Sequence, residues 1–223
     1  MLDTNILIDH TINLLSMDGF FISVKDIENN FSNSSNYYAV KCFNTLKSIY
    51  EIADSNYKKN NLLFSKSLLL QLNLYTGYSG IFRKYNIDYY NSKVIPPEHK
   101  FIRDYVNFFT DYINIYKKNL DIELIFKLHV LFDALHLFEE GNGITNRILL
   151  NYLMISKGHQ PIVITKDKSN RYTNFIEDCK VPLADVFRIG FDENELTKIL
   201  NSMNTNKLVN LFKSKSKVSM KIN

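Results

Sequence analysis

A histidine, a glutamate, a Gly-Asn-Gly turn and an arginine lie within the run HLFEEGNGITNR at positions 136–147. Glycines at 141 and 143 allow positive φ and let the backbone approach a ligand closely. A helix that begins near Ile144 would direct its free N–H groups toward the same point, because the first N–H groups of a helix lack partners within it. Helix N-termini and glycine-rich turns of this kind bind anions, so the run predicts a phosphate site. The alternative is an ordinary helix–turn–helix corner with a solvated Arg147, but the fixed spacing of these residue types favours the phosphate site.

The polar side chains of the run suit the same ligand. Asn142 tolerates the left-handed conformation and can donate its side-chain amide to a phosphoryl oxygen. Glu140 offers the hard oxygen that Mg²⁺ prefers when it bridges substrate phosphates. Arg147 lies about one turn into the following helix, from which its guanidinium could hold a terminal phosphate through two N–H groups. His136 is the nearby side chain that can accept a proton at neutral pH.

The run resembles the motif of the Fic family, which reads H-P/x-F-x-D/E-G-N-G-R-x-x-R in one-letter code. The resemblance implies an all-α Fic-type domain with a small β-hairpin flap over the active site. It also implies transfer of AMP from ATP, with Mg²⁺ as cofactor, to a Ser, Thr or Tyr hydroxyl of a protein target or of the chain itself. By position, His136 would be the general base, Phe138 a core anchor and Glu140 the magnesium ligand. The residues that would bind the nucleotide are Gly141, Asn142, Gly143 and Arg147, the last of them at the γ-phosphate.

Two positions depart from the Fic motif. Leu137 replaces the usual proline, which only shapes the loop, and Ile144 replaces the first arginine. The second change removes a cation from the phosphate end of the site, so the nucleotide preference is open. Other family members transfer another nucleotide or a phosphate, or remove AMP, and these reactions are alternatives here. An alternative of a different class is a toxin–antitoxin-like binding module whose nucleotide site is degenerate.

A segment near the N-terminus is a candidate for autoinhibition. Ile27-Glu28-Asn29 resembles the Fic inhibitory pattern S/T-x-x-x-E-G/N, although Val24 stands where the hydroxyl residue is expected. The resemblance implies that Glu28 pairs with Arg147 and so competes with the γ-phosphate for the same donors. The alternatives are that Glu28 is an exposed charge at a helix end, or that Glu193 near the C-terminus is the inhibitory residue.

Residues 80–97 break the helical period with alternating apolar and polar residues, aromatics and a closing Pro-Pro. This composition predicts a short hairpin in an otherwise helical chain. The segment is similar to the Fic flap, where G-x-Y-R and P-P bracket a β-hairpin over the active site. An exposed strand edge could pair with an extended target segment and bring its hydroxyl beside His136. The residues expected at that edge are Ile87, Asp88 and Tyr89, and the alternative is a purely structural connector.

Apolar periodicity predicts the helices that hold the run in place. They are expected over 4–17, 37–54, 62–74, 98–118, 121–135, from the Gly-Asn-Gly turn to about 157, and from 192 to about 203. A short helix capped by Ser23 and Asp26 is also expected. The helix over 121–135 is apolar nearly all round, so it should be central and should present His136 from its C-terminal end. The helix over 62–74 carries no polar constellation and is interpreted as core.

Three aromatic residues outside the run receive separate interpretations. His10 lies off the apolar stripe of its helix and is expected at the surface. His129 lies two turns before His136 and is interpreted as a hydrogen-bonded core histidine rather than a second catalytic one. Tyr172 lies in a region that resembles the part of the Fic domain where an aromatic residue approaches the adenine. Its alternative role is core packing.

The 223 residues, 45% of them apolar, suffice for a sizeable core. The net charge of +4 does not require a nucleic-acid partner. Two cysteines without disulfide spacing, no membrane-length apolar run and no secretory signal indicate a cytoplasmic protein without a membrane partner. A homodimer is compatible with the sequence. The expected organisation is an N-terminal helix over 1–22, a Fic-like domain over 23–190, and a C-terminal helix with a basic tail over 191–223. The Fic-like domain would contain an inhibitory segment 23–36, the flap 80–97 and the motif 136–147.

Overall fold

The computed structural model describes residues 3–17, 19–28, 34–88 and 92–213, which are mostly α-helical. The helices are α1 (Thr4–Met17), α2 (Val24–Glu28), α3 (Ser34–Lys58), α4 (Lys66–Tyr75), α5 (Ile102–Tyr116), α6 (Ile122–Leu135), α7 (Asn142–Ser156), α8 (Lys166–Lys180), α9 (Ala184–Ile189), α10 (Glu193–Ser202) and α11 (Asn206–Lys213). Short 3₁₀ helices form at His99–Phe101 and Val181–Leu183. The helical fold class predicted from the sequence is confirmed. Among the described helices, none joins the length and apolarity needed to cross a bilayer.

Helices α6 and α7 form the centre of the fold. The Asp121 side chain caps α6 by accepting a hydrogen bond from Leu124 N at 2.8 Å. Helix α6 is buried on nearly all sides, as its sequence predicts, and α7 packs against α6, α3, α4 and α1. The short connection between α6 and α7 carries the HLFEEGN sequence. Both ends of this loop are therefore fixed by helices that are almost wholly buried.

Helix α1 has the predicted bounds, but the surface position predicted for His10 is wrong. His10 is 4% exposed, with Nδ1 at 2.7 Å from Tyr50 Oη and Nε2 at 2.8 Å from Ile162 O. The apolar stripe underestimates the buried face because α1 packs against α3, α7 and α8 at the same time. An imidazole can enter such an interface because both of its nitrogens find hydrogen-bond partners.

The predicted cap of the short second helix is confirmed. Asp26 Oδ2 accepts hydrogen bonds from Ser23 N at 2.8 Å and from Ser23 Oγ at 2.6 Å. These two hydrogen bonds hold the pKa of Asp26 below its ordinary value, and the bond from the Ser23 hydroxyl has the larger effect. Helix α2 ends at Glu28, whose side chain is exposed.

Helices α8, α9 and α11 are absent from the sequence prediction. In α8 the buried side chains are Tyr172, Ile176 and Lys180, so the polar sequence offers little apolar periodicity. Contacts with α6 and α11 stabilise α8 instead, and tertiary packing of this kind overrides weak local preference. Helix α4 begins at Lys66, capped by Ser65, rather than at position 62. The basic tail beyond position 213 lies outside the described residues.

The predicted flap contains no strand in its described residues, 80–88 and 92–97. Phe82 instead forms an isolated antiparallel bridge with Phe138. Arg83 N donates to Leu137 O at 3.0 Å and Glu139 N donates to Ile81 O at 3.3 Å, so the start of the segment pairs with the loop after α6. Tyr89, one of the predicted edge residues, lies outside the described residues.

The buried histidines should make stability fall in mild acid. Burial lowers the pKa of both His10 and His129 to about 4. In the unfolded chain their pKa is about 6.5, so between these values the unfolded state binds more protons and the free energy of unfolding drops as pH falls. We expect a loss of about 2 kcal/mol for each histidine between pH 7 and pH 5, measured by urea unfolding.

His10→Asn provides the matched variant for this measurement, because asparagine can still donate to Ile162 O but does not titrate. Its free energy of unfolding should depend less steeply on pH by the contribution of one histidine. An identical pH dependence in the parent and in His10→Asn would contradict the assignment.

Candidate functional site

His136 ends α6 in a left-handed backbone conformation. Its φ is 46° and its N–H donates to Phe132 O at 3.3 Å. A left-handed conformation is uncommon outside glycine and costs about 1–3 kcal/mol, so it persists only where surrounding contacts enforce it. The predicted delivery of His136 from the end of a rigid helix is confirmed. The side chain is half-buried.

Arg83 supplies the contacts that enforce this conformation. The side chain is 2% exposed, and its Nε donates to His136 O at 2.8 Å while Nη2 approaches Leu135 O at 3.4 Å. Its other N–H groups donate to Tyr85 O at 2.9 Å and to Pro97 O. Burial lowers its pKa to about 10, which leaves the guanidinium charged at neutral pH. Arg83 is thus a cation at the C-terminus of α6, where the helix dipole and the last carbonyls favour one.

Asn142 closes the loop between α6 and α7. Its Oδ1 accepts from Phe138 N and its Nδ2 donates to Phe138 O, both at 2.8 Å. The side chain is buried, and both of its polar atoms bind this main chain. Nδ2 carries a second N–H, so donation from Asn142 to a phosphoryl oxygen stays a prediction. The contribution of Asn142 in the structure is to bring the first turn of α7 next to the residues that follow His136.

Asn73 holds the same loop from the side of α4. The side chain is fully buried, and Nδ2 donates to Glu140 O at 2.9 Å and to Thr145 Oγ1 at 3.1 Å. Its Oδ1 accepts from Gly80 N at 2.9 Å, which joins the start of the flap segment to the loop. The prediction that the helix over 62–74 carries no polar constellation is therefore wrong. The asparagine at position 73, placed among the leucines of this helix, is the signal that could have revealed it.

The glycines of the turn leave room that a side chain would fill. Gly141 precedes α7 with a φ of 73°, and a Cβ at this position would overlap the ring of Tyr78. A Cβ at Gly143 would lie 3.2 Å from Arg147 Nη1, so the guanidinium lies beside the first turn of α7. Thr145 N donates to Gly141 O at 3.0 Å, and the N–H groups ahead of it face out of the helix N-terminus. This end of α7 can hold an anion next to a cation.

Arg147 also contacts the N-terminal helix. Its side chain is 7% exposed, and Nη2 donates to Leu14 O of α1 at 3.3 Å. It lines a cavity of about 20 Å³ together with His10, Asn13 and Asn151. The arginine therefore joins the beginning of α7 to α1. Of the residues considered for inhibition, Glu28 lies exposed at the end of α2 and Glu193 lies exposed at the start of α10.

The surroundings of His136, chiefly its burial, favour a neutral imidazole. Burial is the main cause that lowers its pKa, Asp133 acts in the opposite direction, and Arg83 and Lys180 lower the pKa further. Asp133 belongs to α6, Arg83 to the flap segment and Lys180 to α8, so charges from separate elements surround the ring. A neutral imidazole at physiological pH can accept a proton.

The other predicted site residues lie in different surroundings. Glu140 is exposed at the N-terminal side of α7, Asp88 is exposed and Ile87 is half-buried. Tyr172 is buried in α8, and its hydroxyl lies 2.7 Å from Nε2 of His129. This contact confirms His129 as a hydrogen-bonded core histidine and favours the core-packing alternative for Tyr172. Burial raises the pKa of Tyr172, which keeps its hydroxyl protonated.

Sequence comparison relates this site to known proteins. Residues 63–154 match the Fic/DOC family model. A probable protein adenylyltransferase of Aquifex aeolicus is 25% identical over 157 residues, which make up 67% of this chain and 48% of that protein. A protein adenylyltransferase Fic of Drosophila yakuba is 40% identical over 43 residues, which make up 19% of this chain and 9% of that protein. The chain thus spans less than half the length of either relative.

Solved structures show the same fold. A Fic domain-containing signalling protein from Bacteroides thetaiotaomicron has a TM-score of 0.71 at 18% identity, covering 92% of this chain and 86% of that chain. Fic-1 from C. elegans has a TM-score of 0.62 at 13% identity, covering 91% of this chain and 61% of that chain. The family model covers α6, the connection from His136 to Gly141, and α7 up to residue 154. The chain therefore contains a Fic/DOC domain over residues 63–154.

Proposed function

We propose that the chain is a protein adenylyltransferase, which transfers AMP from ATP to a hydroxyl side chain of a protein target. The observation that carries the proposal is the closed turn in which Asn142 binds the main chain of Phe138 through both side-chain polar atoms. This turn sets the half-buried His136 at one end and the anion-binding start of α7 at the other. A proton acceptor held beside a phosphate cradle is what nucleotidyl transfer requires. The printed name of the Aquifex aeolicus relative supports the same reaction class.

The proposed reaction is a displacement at the α-phosphorus of ATP. His136 accepts the proton of the target hydroxyl while the hydroxyl oxygen forms a bond to the α-phosphorus. The bond from the α-phosphorus to the bridging oxygen breaks, and pyrophosphate leaves with its electron pair. The N–H groups at 142–144 and the Arg147 guanidinium lie where they would neutralise the phosphate charge. Arg83 and Asn73 would hold the reacting geometry through the main chain.

Glu140 fits a magnesium ion that accompanies the nucleotide. Its carboxylate is exposed beside the start of α7, and its carbonyl is fixed by Asn73 Nδ2 at 2.9 Å. Within the described residues, no group of three or more His, Cys, Asp or Glu side chains could hold a metal ion. A single carboxylate suits Mg²⁺, which commonly keeps several waters and takes its other ligands from substrate phosphates. When bound, the ion would offset phosphate charge during transfer.

The segment 80–97 is the proposed docking element for the target. Its first residues pair with the loop after α6 through the bridge between Phe82 and Phe138, whose rings stack at 4.9 Å. Asp88 is exposed and available to an extended target segment. We therefore assign target docking to the residues around 87–89, with a short hairpin as the proposed bound conformation.

A second candidate function rests on Ile144. Its side chain is 1% exposed and fills the core at the position where the Fic motif has its first arginine. The phosphate end of the site therefore lacks the cation that this motif position would supply. The second candidate is therefore an enzyme that transfers another nucleotide or a phosphate, or that removes AMP from a protein. These reactions should be tested together with AMP transfer from ATP.

His136→Ala should reduce AMP transfer by at least about 10²-fold, because the general base is lost. The measurement uses ATP labelled at the α-phosphate, Mg²⁺ and the purified chain, with label detected on protein by mass spectrometry. His159→Ala is the matched control, since this half-buried histidine follows the C-terminal end of α7, whereas the proposed site lies at its N-terminal end. Retained labelling by His136→Ala with normal unfolding stability would overturn the proposed mechanism.

A panel of nucleotides should separate the candidate reactions. We expect labelling from α-labelled ATP to exceed labelling from GTP, CTP and UTP, whereas γ-label should stay with pyrophosphate. Transfer from another nucleotide, or of γ-label, would assign the site to the second candidate. Calorimetric titration with Mg-ATP tests the binding-module alternative, which flat heats together with no transfer would support.

Glu28→Gly should raise self-labelling by about tenfold if Glu28 restrains the γ-phosphate site. The proposal is supported by the N-terminal elements that reach Arg147, since α2 packs against α1 and the Leu14 carbonyl of α1 accepts from Arg147 Nη2. Glu193→Gly is the matched comparison, because Glu193 is the rival inhibitory residue. An increase only in Glu193→Gly would move the restraint to α10, and no increase in either would remove it.

A further inference from the structure

A buried lysine joins two carboxylates next to the proposed active site. The Lys180 side chain is 4% exposed, and its Nζ lies 2.9 Å from Asp133 Oδ2 and 2.6 Å from Glu177 Oε1. Burial alone would lower the pKa of Lys180, but the two carboxylates outweigh it and the pKa is raised. Charges are rarely buried unless they are paired, and breaking such a pair leaves an uncompensated charge. Lys180 is therefore fixed in place by the groups that it joins.

The two carboxylates belong to different parts of the site. Asp133 lies on α6, one turn before His136. Glu177 lies on α8, and its second oxygen, Oε2, accepts from Lys93 N at 2.8 Å and from Ser92 Oγ at 3.0 Å. Residues 92 and 93 belong to the second described part of the segment 80–97, residues 92–97, which is called its returning part below. The cluster thus forms a continuous chain of contacts from that segment, through Glu177, Lys180 and Asp133, to the helix that carries the histidine.

The opposite part of the same segment has its own attachment to α6. Arg83 binds the carbonyls of Leu135 and His136, and its own N–H binds Leu137 O at 3.0 Å. Both described ends of the segment 80–97 are therefore joined to the end of α6. The first attachment lies within the residues that match the family model, 63–154, whereas Glu177 and Lys180 lie beyond them.

We propose that Lys180 is a positioning residue that fixes the returning part of the docking segment at a set distance from His136. The inference rests on the proposed function, because a target hydroxyl must be held both by the segment and beside the histidine. Without Lys180, the Glu177 carboxylate loses the cation that pairs with it and holds it against Ser92 and Lys93. The target would then bind less tightly, while the nucleotide site on α7 stays intact.

Lys180 also acts on His136 through charge. The charged groups that influence the ring are Asp133 from α6, Arg83 from the docking segment and Lys180 from α8. Removing the lysine takes away a nearby cation and leaves Asp133 without its partner. Both changes favour the protonated imidazole, so the pKa of His136 should rise. The pH below which transfer is lost should therefore move upward.

Two variants separate the positioning role from a purely structural one. Lys180→Met keeps much of the side-chain volume but removes the charge, whereas Glu177→Gln disturbs the segment contact and leaves the pair of Lys180 with Asp133 in place. Both variants should raise the KM for a library of extended Ser, Thr and Tyr peptides about tenfold or more, with the Kd for Mg-ATP unchanged. Only Lys180→Met should raise the pKa of His136, followed by NMR titration of the imidazole. Lys198→Met is the control, since Lys198 forms an exposed pair with Glu195.

Hydrogen exchange provides a measurement that does not require transfer. The N–H of Lys93 should exchange about tenfold faster in Lys180→Met and in Glu177→Gln, while the N–H of Arg83 keeps its protection. Unchanged exchange at Lys93 together with an unchanged His136 pKa would overturn the positioning role of Lys180. If the parent chain transfers no label from any nucleotide, the proposed function fails, and the exchange and titration experiments still decide whether the contacts act as described. A parent that transfers AMP with a Lys180→Met variant that keeps its peptide KM would refute this inference alone.

Discussion

The buried guanidinium of Arg83 at the C-terminus of α6 is the interaction on which the rest of the site depends. A helix end leaves carbonyl groups without partners inside the helix, and burying them requires donors from elsewhere. Arg83 supplies those donors to Leu135 and His136, and it bonds to the carbonyls of Tyr85 and Pro97 as well. No carboxylate appears among these acceptors. The charge is balanced by the helix end itself, which ties the shape of the loop to the segment that carries the arginine.

Buried asparagines of α7 likewise hold neighbouring segments through hydrogen bonds to main-chain atoms. Asn151 accepts from Ile162 N at 2.6 Å and donates to Ile162 O at 3.0 Å, the same two-point arrangement that Asn142 makes with Phe138. Asn146 Nδ2 donates to His129 O of α6 at 3.0 Å. An amide side chain carries both a donor and an acceptor, so it can replace a main-chain partner where no strand is present. Helix α7 thereby holds the loop before it at Phe138, the loop after it at Ile162, and α6 at His129.

Most of the helices and the loop were predictable from the sequence, because both depend on local patterns of residue types. The bounds of α1 agree with the apolar periodicity, and the run from His136 to Arg147 is recognisable from residue types at fixed spacing. Asn73 and Arg83 were missed because their roles depend on the distant main-chain atoms that they meet. The buried position of His10 was missed for the same reason, since a stripe on one helix does not reveal how many neighbours surround it. Such contacts are fixed by tertiary packing, which local sequence does not encode.

The Tyr78 ring lies against Gly141, so the side chains at these two distant sequence positions compete for the same space. The aromatic ring occupies the space that a Cβ at 141 would need, and the positive φ at 141 independently disfavours any other residue. A larger residue at 141 would require a smaller one at 78 and would still strain the backbone. Relatives that keep an aromatic side chain at 78 should therefore keep glycine at 141, whereas loss of the glycine should be accompanied by loss of the ring. Covariation between these positions would reflect steric exclusion between them.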